Sequence, residues 1–444
     1  MIFSAPYREH YKSTFWLAYP VVLSQLGHIL VSVADSVMAG RIGTLQLAAA
    51  SLGNSIFTIV LVFGLGISFS ITPMVARADG RKNYTRIALA LTNGWFLNTI
   101  MGILLFLAFW ALSPLIAYLN QPEDVVRLAI PYVNILFLSM VPLMMFQAFK
   151  QFAEGLSLTK QSMYISIFAN VLNVGLNYVL IYGKLGFPAL GLNGAAWATL
   201  ISRVVMALMM AGFVFLAPRF ARYRRYLRWQ HLSWTHMRRM LKVGFPISLQ
   251  MIFEMGAFSF SAVMIGWLGA RDLAAHQIAL NVASVTYMMA SGISAAATIR
   301  VGKLRGAGDA HGVHMAGYSS LIMGALFMAT SAVLIILCKD LIPEFYVKDP
   351  AVQSLAAQLL IIAAIFQLSD GVQVVGLGAL RGLEDVRVPS MISLFSYWLI
   401  ALPVGYALGF WIGLGALGIW LGLFTGLTIA AVLLFFRFRK FSPQ

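Results

Sequence analysis

The chain is poor in charged residues, in acidic residues and in cysteine. Only 10% of its 444 residues are Asp, Glu, Lys or Arg, and only 15 are acidic. Soluble domains carry about a quarter charged residues, so this composition excludes a soluble globular class. The single cysteine, Cys338, excludes an intramolecular disulfide. The chain also lacks a Gly-rich phosphate loop of the Walker type, which excludes ATP as the direct energy source.

Long apolar runs fill most of the sequence. Hydrophobic residues make up 60% of the chain, and a run of about 20 such residues can cross a bilayer as a helix. The pattern predicts an all-α polytopic membrane protein with twelve transmembrane helices. The run that begins at Thr14 is too long for a signal-peptide core, so we take it as the first span. The predicted spans are roughly 15–39, 50–74, 89–112, 128–150, 162–183, 194–216, 245–268, 274–299, 316–338, 351–378, 390–411 and 414–436.

The net charge of +16 is distributed unevenly along the chain. If the amino terminus is cytoplasmic, the cytoplasmic segments hold 24 Lys and Arg, the opposite face holds six, and Arg203 lies inside span six. By the positive-inside rule, this split predicts that both termini are cytoplasmic in a plasma membrane. The basic charge therefore indicates topology and contact with membrane lipids, and it predicts no nucleic-acid partner.

The sequence repeats itself once. Val37–Gly43 reads VMAGRIG and Val263–Gly269 reads VMIGWLG, and the same offset of 226 residues relates Pro20 to Pro246. Spans 1–6 therefore duplicate spans 7–12, and an even number of spans makes the two repeats parallel. We expect two pseudo-symmetric six-helix lobes around a central cleft. The predicted division is an amino-terminal lobe at 1–218, a basic cytoplasmic linker at 219–242 and a carboxy-terminal lobe at 243–444.

Three carboxylates fall in the middle of predicted spans. They are Asp35 in span one, Glu254 in span seven and Asp370 in span ten. An ionisable group at that depth costs at least ~2.5–3.5 kcal/mol, and it commonly marks an ion or substrate path. A protonated carboxyl that bonds two helices together is the alternative. Since Arg203 is the only basic residue inside a predicted span, the three acids are expected to attract cations from solution.

Other polar residues recur at helical spacing and form stripes on four spans. Such stripes predict the lining of a cleft, although hydrogen bonds between membrane helices, worth about 0.6 kcal/mol each, are the alternative. His28 fits either a proton carrier or a neutral hydrogen-bonded residue. No second His or Cys stands at ligand spacing, which disfavours a transition-metal site. The stripes contain Gln25, His28, Ser32 and Asp35; Asn170, Asn173 and Asn177; Gln277, Asn281 and Ser284; and Gln367 and Asp370.

Four segments resemble multidrug and toxin extrusion (MATE) transporters of the NorM branch. They are VADSVMAGRIG in span one, MIFEMGAF in span seven, AAHQIALN in span eight and FQLSDGVQVVGLGALRGLED, which runs out of span ten. The resemblance covers essentially the whole chain. It implies a transporter without enzymatic activity or cofactor, which exports lipophilic, often cationic drugs in exchange for inward sodium or protons.

The resemblance also implies roles for individual residues. Glu254 and Asp370 would form the carboxy-lobe cation site, as ligands of a sodium ion. Asp35 would be the acid of an amino-lobe cluster, together with Asn173, Asn177 and Thr199. Many relatives carry an Asp where this chain has Asn177, so the amino-lobe cluster holds one acid, which disfavours a tight cation site there. We therefore assign sodium to the carboxy lobe, and drug or a proton to Asp35.

Several alternatives remain at this point. Protons could replace sodium, because two neighbouring buried carboxyls can share a proton and titrate as a unit. A flippase for lipid-linked oligosaccharides is less favoured, because a pyrophosphate substrate calls for several basic residues and the spans offer only Arg203. The duplicated lobes and the lack of a filter-like motif disfavour a channel. We expect a monomer that carries small organic cations.

Overall fold

The protein is a bundle of long helices. The computed structural model describes residues 5–118, 121–224 and 232–441, and within these ranges it contains helices and no strand. Twelve helical segments there are long and apolar enough to cross a membrane, which confirms the predicted number. They are α1 (Tyr7–Ile42), α2 (Thr44–Gly80), α3 (Tyr84–Tyr118), α4 (Glu123–Gly155), α5 (Thr159–Tyr182), α6 (Leu192–Leu216), α7 (Trp234–Gly266), α8 (Ala270–Ala307), α9 (Ala310–Leu337), α10 (Pro350–Gly382), α11 (Arg387–Trp411) and α12 (Ala416–Phe441).

Most of these helices extend beyond the bounds predicted from hydropathy. The helix of α8 continues to Ala307, where Gly308 ends it in the left-handed conformation at φ 80°. Asn83 caps the start of α3 by accepting a hydrogen bond from the main-chain N–H of Arg86 at 3.0 Å. Hydropathy marks only the part of a helix that lies in hydrocarbon, whereas caps decide where the helix ends. Arg381, which lies beyond the predicted span 351–378, is therefore a helix residue.

Two spans are interrupted near a serine. The helix within α4 ends at Leu138 and a second one begins at Met140, with Ser139 between them. The Ser139 hydroxyl donates to the carbonyl oxygen of Leu136 at 2.5 Å, which offers the main chain a partner where the helix is broken. The same happens in α2, where Ser70 donates to the carbonyl oxygen of Ile67 at 2.8 Å. The interruption in α4 places the Ser139 hydroxyl where it accepts a hydrogen bond from Arg203 of α6.

The chain forms two compact units. The amino unit contains Leu23–Ser248, and the carboxy unit contains Met1–Val22 together with Leu249–Gln444. Both α1 and α7 therefore begin in one unit and end in the other. Each change of unit comes two residues after a proline, Pro20 in α1 and Pro246 in α7, where the helix lacks a hydrogen-bond donor.

The 219–242 linker lies within the amino unit's range, and its residues 225–231 are outside the described part of the chain. The compact units thus divide inside α1 and α7. The division by sequence repeat, with this linker as the boundary, stays a prediction.

The same packing contacts recur in the two units. In the amino unit, the Thr72 hydroxyl donates to the carbonyl oxygen of Gln151 at 3.1 Å, which joins α2 to α4. In the carboxy unit, the Thr298 hydroxyl donates to the carbonyl oxygen of Gly378 at 2.8 Å, which joins α8 to α10. The donors are 226 positions apart, since 298 − 72 = 226, and the acceptors are 227 apart, since 378 − 151 = 227. The duplication predicted from the sequence is therefore also present in the packing.

Two repeat-related glycines let helix backbones approach closely. A methyl group built on Gly66 would collide with the main chain of Ser248, and one built on Gly292 would collide with Val22 and lie 3.2 Å from the carbonyl oxygen of Ala18. Small residues serve this purpose throughout membrane helix packing. Ser248 also donates its hydroxyl hydrogen to the carbonyl oxygen of Phe63 at 2.7 Å, which fastens α7 to α2 within the amino unit.

Replacing either glycine by valine should destabilise the protein. Overpacking of a closely packed contact costs ~1–3 kcal/mol, so Gly66→Val and Gly292→Val should each lower the thermal midpoint of the purified protein. Gly175→Val in α5 is the matched control, because no atom lies within 4 Å of the methyl group it would introduce. Equal midpoints for all three variants would contradict the close approach.

Candidate functional site

Glu254 lies in α7 of the carboxy unit and accepts hydrogen bonds from two amides. Gln250, one helical turn earlier, donates its Nε2 hydrogen to Glu254 Oε2 at 2.8 Å. Gln373 of α10 donates its Nε2 hydrogen to Oε1 at 3.3 Å. The side chain is buried, with 7% of the residue exposed. Two amide donors partly replace the water that a buried carboxylate loses.

The two amides extend the contacts of Glu254 to further residues. Arg381 of α10 donates its Nη2 hydrogen to Gln250 Oε1 at 2.6 Å. On the other side, the Tyr397 hydroxyl of α11 donates to Gln373 Oε1 at 2.8 Å. A continuous hydrogen-bonded chain thus runs from Arg381 through Gln250, Glu254 and Gln373 to Tyr397.

This chain corrects one statement drawn from the sequence. Arg381 lies outside the predicted span 351–378, and the sequence predicts no basic residue that could reach Glu254. Because α10 continues to Gly382, Arg381 is a helix residue and reaches Glu254 through Gln250. The spacing of Gln250 and Glu254, four residues apart on one helix, was the available signal. The contact from Arg381 requires the packing of α10 against α7 and has no signature in the sequence.

Asp370 lies in the same unit but lacks hydrogen bonds like those that Glu254 accepts. Only 5% of the residue is exposed, and its carboxylate has no hydrogen bond or ion pair with any residue that the structure describes. Its charge interacts with that of Glu254. Three residues earlier on α10, Gln367 donates its Nε2 hydrogen to the Thr286 hydroxyl at 2.8 Å, while its Oε1 atom is buried without a partner in the described chain.

These free oxygens fit the requirements of a hard monovalent cation. A buried carboxylate without a partner is costly, and burial of an amide oxygen without a donor adds to that cost. Carboxylate and carbonyl oxygens are the ligands that hard cations take. Asp370 and Gln367, three residues apart on α10, therefore offer oxygens of the kind that a hard cation binds.

The structure brings the predicted amino-lobe cluster together. Asn177 donates its Nδ2 hydrogens to Asp35 Oδ1 at 2.5 Å and to Asn173 Oδ1 at 3.1 Å. Asn173 in turn donates to the Thr199 hydroxyl at 3.4 Å. The chain of contacts joins α1, α5 and α6, and both asparagines are buried. Asp35 is the one acid in this cluster.

Arg203 lies one helical turn after Thr199 on α6. Its Nη1 hydrogen bonds the Ser139 hydroxyl at 2.6 Å, at the interruption of α4. Its guanidinium carbon lies 4.8 Å from the centre of the Phe57 ring, a cation–π contact. The charges of Arg203 and Asp35 interact. The lone basic residue of the predicted spans is thus held in place near the amino-unit acid.

The remaining predicted lining residues are not hydrogen-bonded to either acid cluster. Gln277 donates to Asn281 Oδ1 at 3.1 Å, and both are exposed on the carboxy unit. Gln25 is half-buried and His28 is exposed, and neither forms a hydrogen bond to another described residue. His276 was not predicted as a site residue and is buried, where it accepts a hydrogen bond from Trp420 Nε1 at 3.0 Å. This contact fixes His276 in the core of the carboxy unit.

Comparison with known proteins assigns the chain to a family. The MatE family model matches residues 20–179 and again residues 246–407, the same 226-residue offset as the repeat, since 246 − 20 = 226. A probable multidrug resistance protein NorM of Idiomarina loihiensis is 35% identical over 432 residues, which cover 96% of this chain and 94% of that protein. The multidrug resistance protein MdtK of Yersinia pseudotuberculosis is 35% identical over 438 residues, covering 98% and 96%.

A solved structure shares the fold. The crystal structure of a eukaryotic MATE transporter superposes with a TM-score of 0.89 at 18% identity and covers 98% of both chains. The chain belongs to the MatE family. It is therefore a multi-pass membrane transporter and not an enzyme, as the sequence predicted.

Replacing Gln250 should destabilise the carboxy unit. Gln250→Met removes both the donor to Glu254 and the acceptor of Arg381. A lost hydrogen bond to a charged group costs about 1.5–3 kcal/mol, so the thermal midpoint should fall. Gln277→Met is the matched control, because its one hydrogen bond is exposed and joins two neutral amides. Midpoints that fall equally in both variants would contradict the bridging role.

Proposed function

We propose that the chain is a multidrug efflux antiporter that exports lipophilic, mostly cationic compounds in exchange for sodium. The relatives named above as multidrug resistance proteins support the drug class. The observation that carries the choice of sodium is the Asp370 carboxylate, which has no hydrogen bond or ion pair in the described chain and belongs to a buried residue. It lies three residues after Gln367, whose Oε1 atom is buried without a partner. No cofactor takes part in this proposal, since the ion gradient supplies the energy.

Sodium would bind in the carboxy unit. Asp370 and Gln367 offer oxygens without competing donors, and Glu254 adds a second carboxylate whose charge interacts with that of Asp370. A sodium ion would relieve both the repulsion between the two acids and the desolvation of Asp370. Sodium would thus bind at Asp370, whose negative charge has no hydrogen bond or ion pair in the described chain.

The drug would be drawn by negative charge and held by adaptable surfaces. Asp35 supplies a carboxylate in the amino unit, and exposed polar residues such as His28, Gln277 and Asn281 would line a wet path, because such residues are costly against lipid. Methionine side chains, of which the chain has 22, suit varied ligands. Exchange then requires only that sodium and drug prefer different arrangements of the transporter.

The charge distribution and the repeat support further parts of the proposal. The chain would be a monomer in a bacterial inner membrane, with both termini and the 219–242 linker cytoplasmic, as the 24-to-6 distribution of Lys and Arg indicates. Two repeat-related lobes would alternate access to a cleft, as parallel-repeat transporters do. A flippase for pyrophosphate lipids is less favoured, because Arg203 and Arg381 already bond Ser139 and Gln250.

Removing the charge of any of the three acids within the spans should abolish efflux. Asp35→Asn, Glu254→Gln and Asp370→Asn should each reduce drug resistance in an efflux-deficient host to the level of the empty vector, because each removes a charge that attracts a cation. The protein should still insert, since a neutral amide costs less to bury. Asp124→Asn is the control, because that side chain is 67% exposed beside Arg127. Full resistance in all three variants at equal expression would refute the assignment.

A sodium gradient alone should drive transport. Proteoliposomes are loaded with a fluorescent cationic drug, the pH is held equal on both sides, and sodium is replaced by choline on one side. Drug exchange should follow the sodium gradient and be lost in Asp370→Asn. Protons are the second candidate, because the interacting pair Glu254 and Asp370 could share one. Transport that ignores sodium and follows a pH gradient would favour protons instead.

A further inference from the structure

We propose that Arg203 is the resident counter-charge of Asp35, which keeps coupling cations out of the amino unit, so that the transporter takes one monovalent cation, in the carboxy unit. The inference rests on the proposed function and deepens it. Arg203 would thus limit the number of coupling cations that the transporter binds to one.

Two contacts hold the Arg203 side chain one helical turn from Thr199, which belongs to the Asp35 cluster. Its guanidinium is held between the Ser139 hydroxyl, at 2.6 Å, and the face of Phe57, at 4.8 Å. One turn earlier on α6, Thr199 ends the chain of hydrogen bonds that starts at Asp35. Arg203 therefore shares the interior of the amino unit with the Asp35 cluster, and its contacts hold it there.

The charges grouped around Asp35 cancel. Asp35 contributes −1 and Arg203 contributes +1, and both residues are half-buried. The buried ionic pair Lys150 and Glu154 on α4 has a closest N–O distance of 3.9 Å with side chains 8% and 5% exposed, and it is neutral by itself. A coupling cation entering beside Asp35 would give this interior a net positive charge and would meet the repulsion of a fixed guanidinium. Asn177, in place of a second acid, adds no charge to offset it.

The charges grouped around Glu254 do not cancel. Glu254 and Asp370 are buried and contribute −2, and the half-buried Arg381 contributes +1, which leaves −1. Arg381 bonds Gln250, which in turn bonds Glu254, whereas the Asp370 carboxylate has no hydrogen bond or ion pair in the described chain. One monovalent cation at Asp370 makes this group of charges neutral. The resident arginine of each unit thus determines that the amino unit takes no coupling cation and the carboxy unit takes one.

The test is equilibrium binding of ²²Na⁺ to the purified full-length protein, with choline holding the ionic strength constant. The carboxy site is first removed with Glu254→Gln and Asp370→Asn, so that any remaining sodium must bind in the amino unit. This background should bind no sodium. Adding Arg203→Gln should create binding of one sodium per chain, and further adding Asp35→Asn should abolish it.

The control is Arg203→Lys in the same background, which keeps the positive charge while it loses the planar guanidinium, and it should bind no sodium. The proposal is overturned if the background already binds sodium with Arg203 present, or if folded protein carrying Arg203→Gln binds none. Binding in the Lys variant equal to that in the Gln variant would also overturn it, because the charge would then be irrelevant.

Thermal stability provides a second readout of the pairing. Arg203→Gln leaves Asp35 buried without a counter-charge, so the midpoint or the amount of folded protein should fall, and Asp35→Asn should restore it. If Arg203→Gln does not accumulate and Asp35→Asn does not rescue it, the pairing is wrong. Sodium binding by the wild type tests the proposed function separately, because its loss would refute sodium coupling while the background series still decides the role of Arg203.

Discussion

The cost of keeping carboxylates in a low-dielectric interior is the constraint on which this transporter depends. Each of the three acids offsets this cost in a different way. Glu254 accepts two amide hydrogen bonds, one of them from Gln250, which also bonds Arg381. Asp35 accepts one from Asn177 and has Arg203 in the same unit. Asp370 has no hydrogen bond or ion pair in the described chain, and in our proposal a bound sodium ion stabilises it.

The duplicated framework carries different charges in its two copies. The threonine bonds and the close-packed glycines recur at the repeat offset, so the helices of each unit pack alike. The residues they position have diverged: His28 in α1 corresponds to Glu254 in α7, since 28 + 226 = 254. In our proposal the same scaffold supports a neutral group of charges around Asp35 and a negative one around Glu254 and Asp370. In our proposal this asymmetry separates the ion from the drug.

The sequence predicted the features that depend on local pattern. Hydropathy indicated the twelve spans and the three acids within them, and helical spacing indicated that Asn173 and Asn177 share one face of a helix. The grouping of these asparagines with Asp35 was implied by the resemblance to MATE transporters, because the residues lie on different helices. They did not predict the bond from Arg381 to Gln250, since hydropathy stops at the membrane surface while α10 continues to Gly382. Contacts between spans, such as Gln367 with Thr286, depend on packing that a linear pattern does not encode.

The assignment of the coupling ion to Asp370 can be tested most directly by thermal unfolding in sodium. A ligand that binds only the folded state stabilises it by RT ln(1 + [L]/Kd), about 2.7 kcal/mol at a hundred times Kd. With choline chloride keeping the ionic strength constant, the account predicts that the thermal midpoint of the wild type rises with the logarithm of sodium concentration. In Asp370→Asn the rise should be absent. A midpoint that does not respond to sodium in the wild type, or that rises equally in Asp370→Asn, would contradict the account.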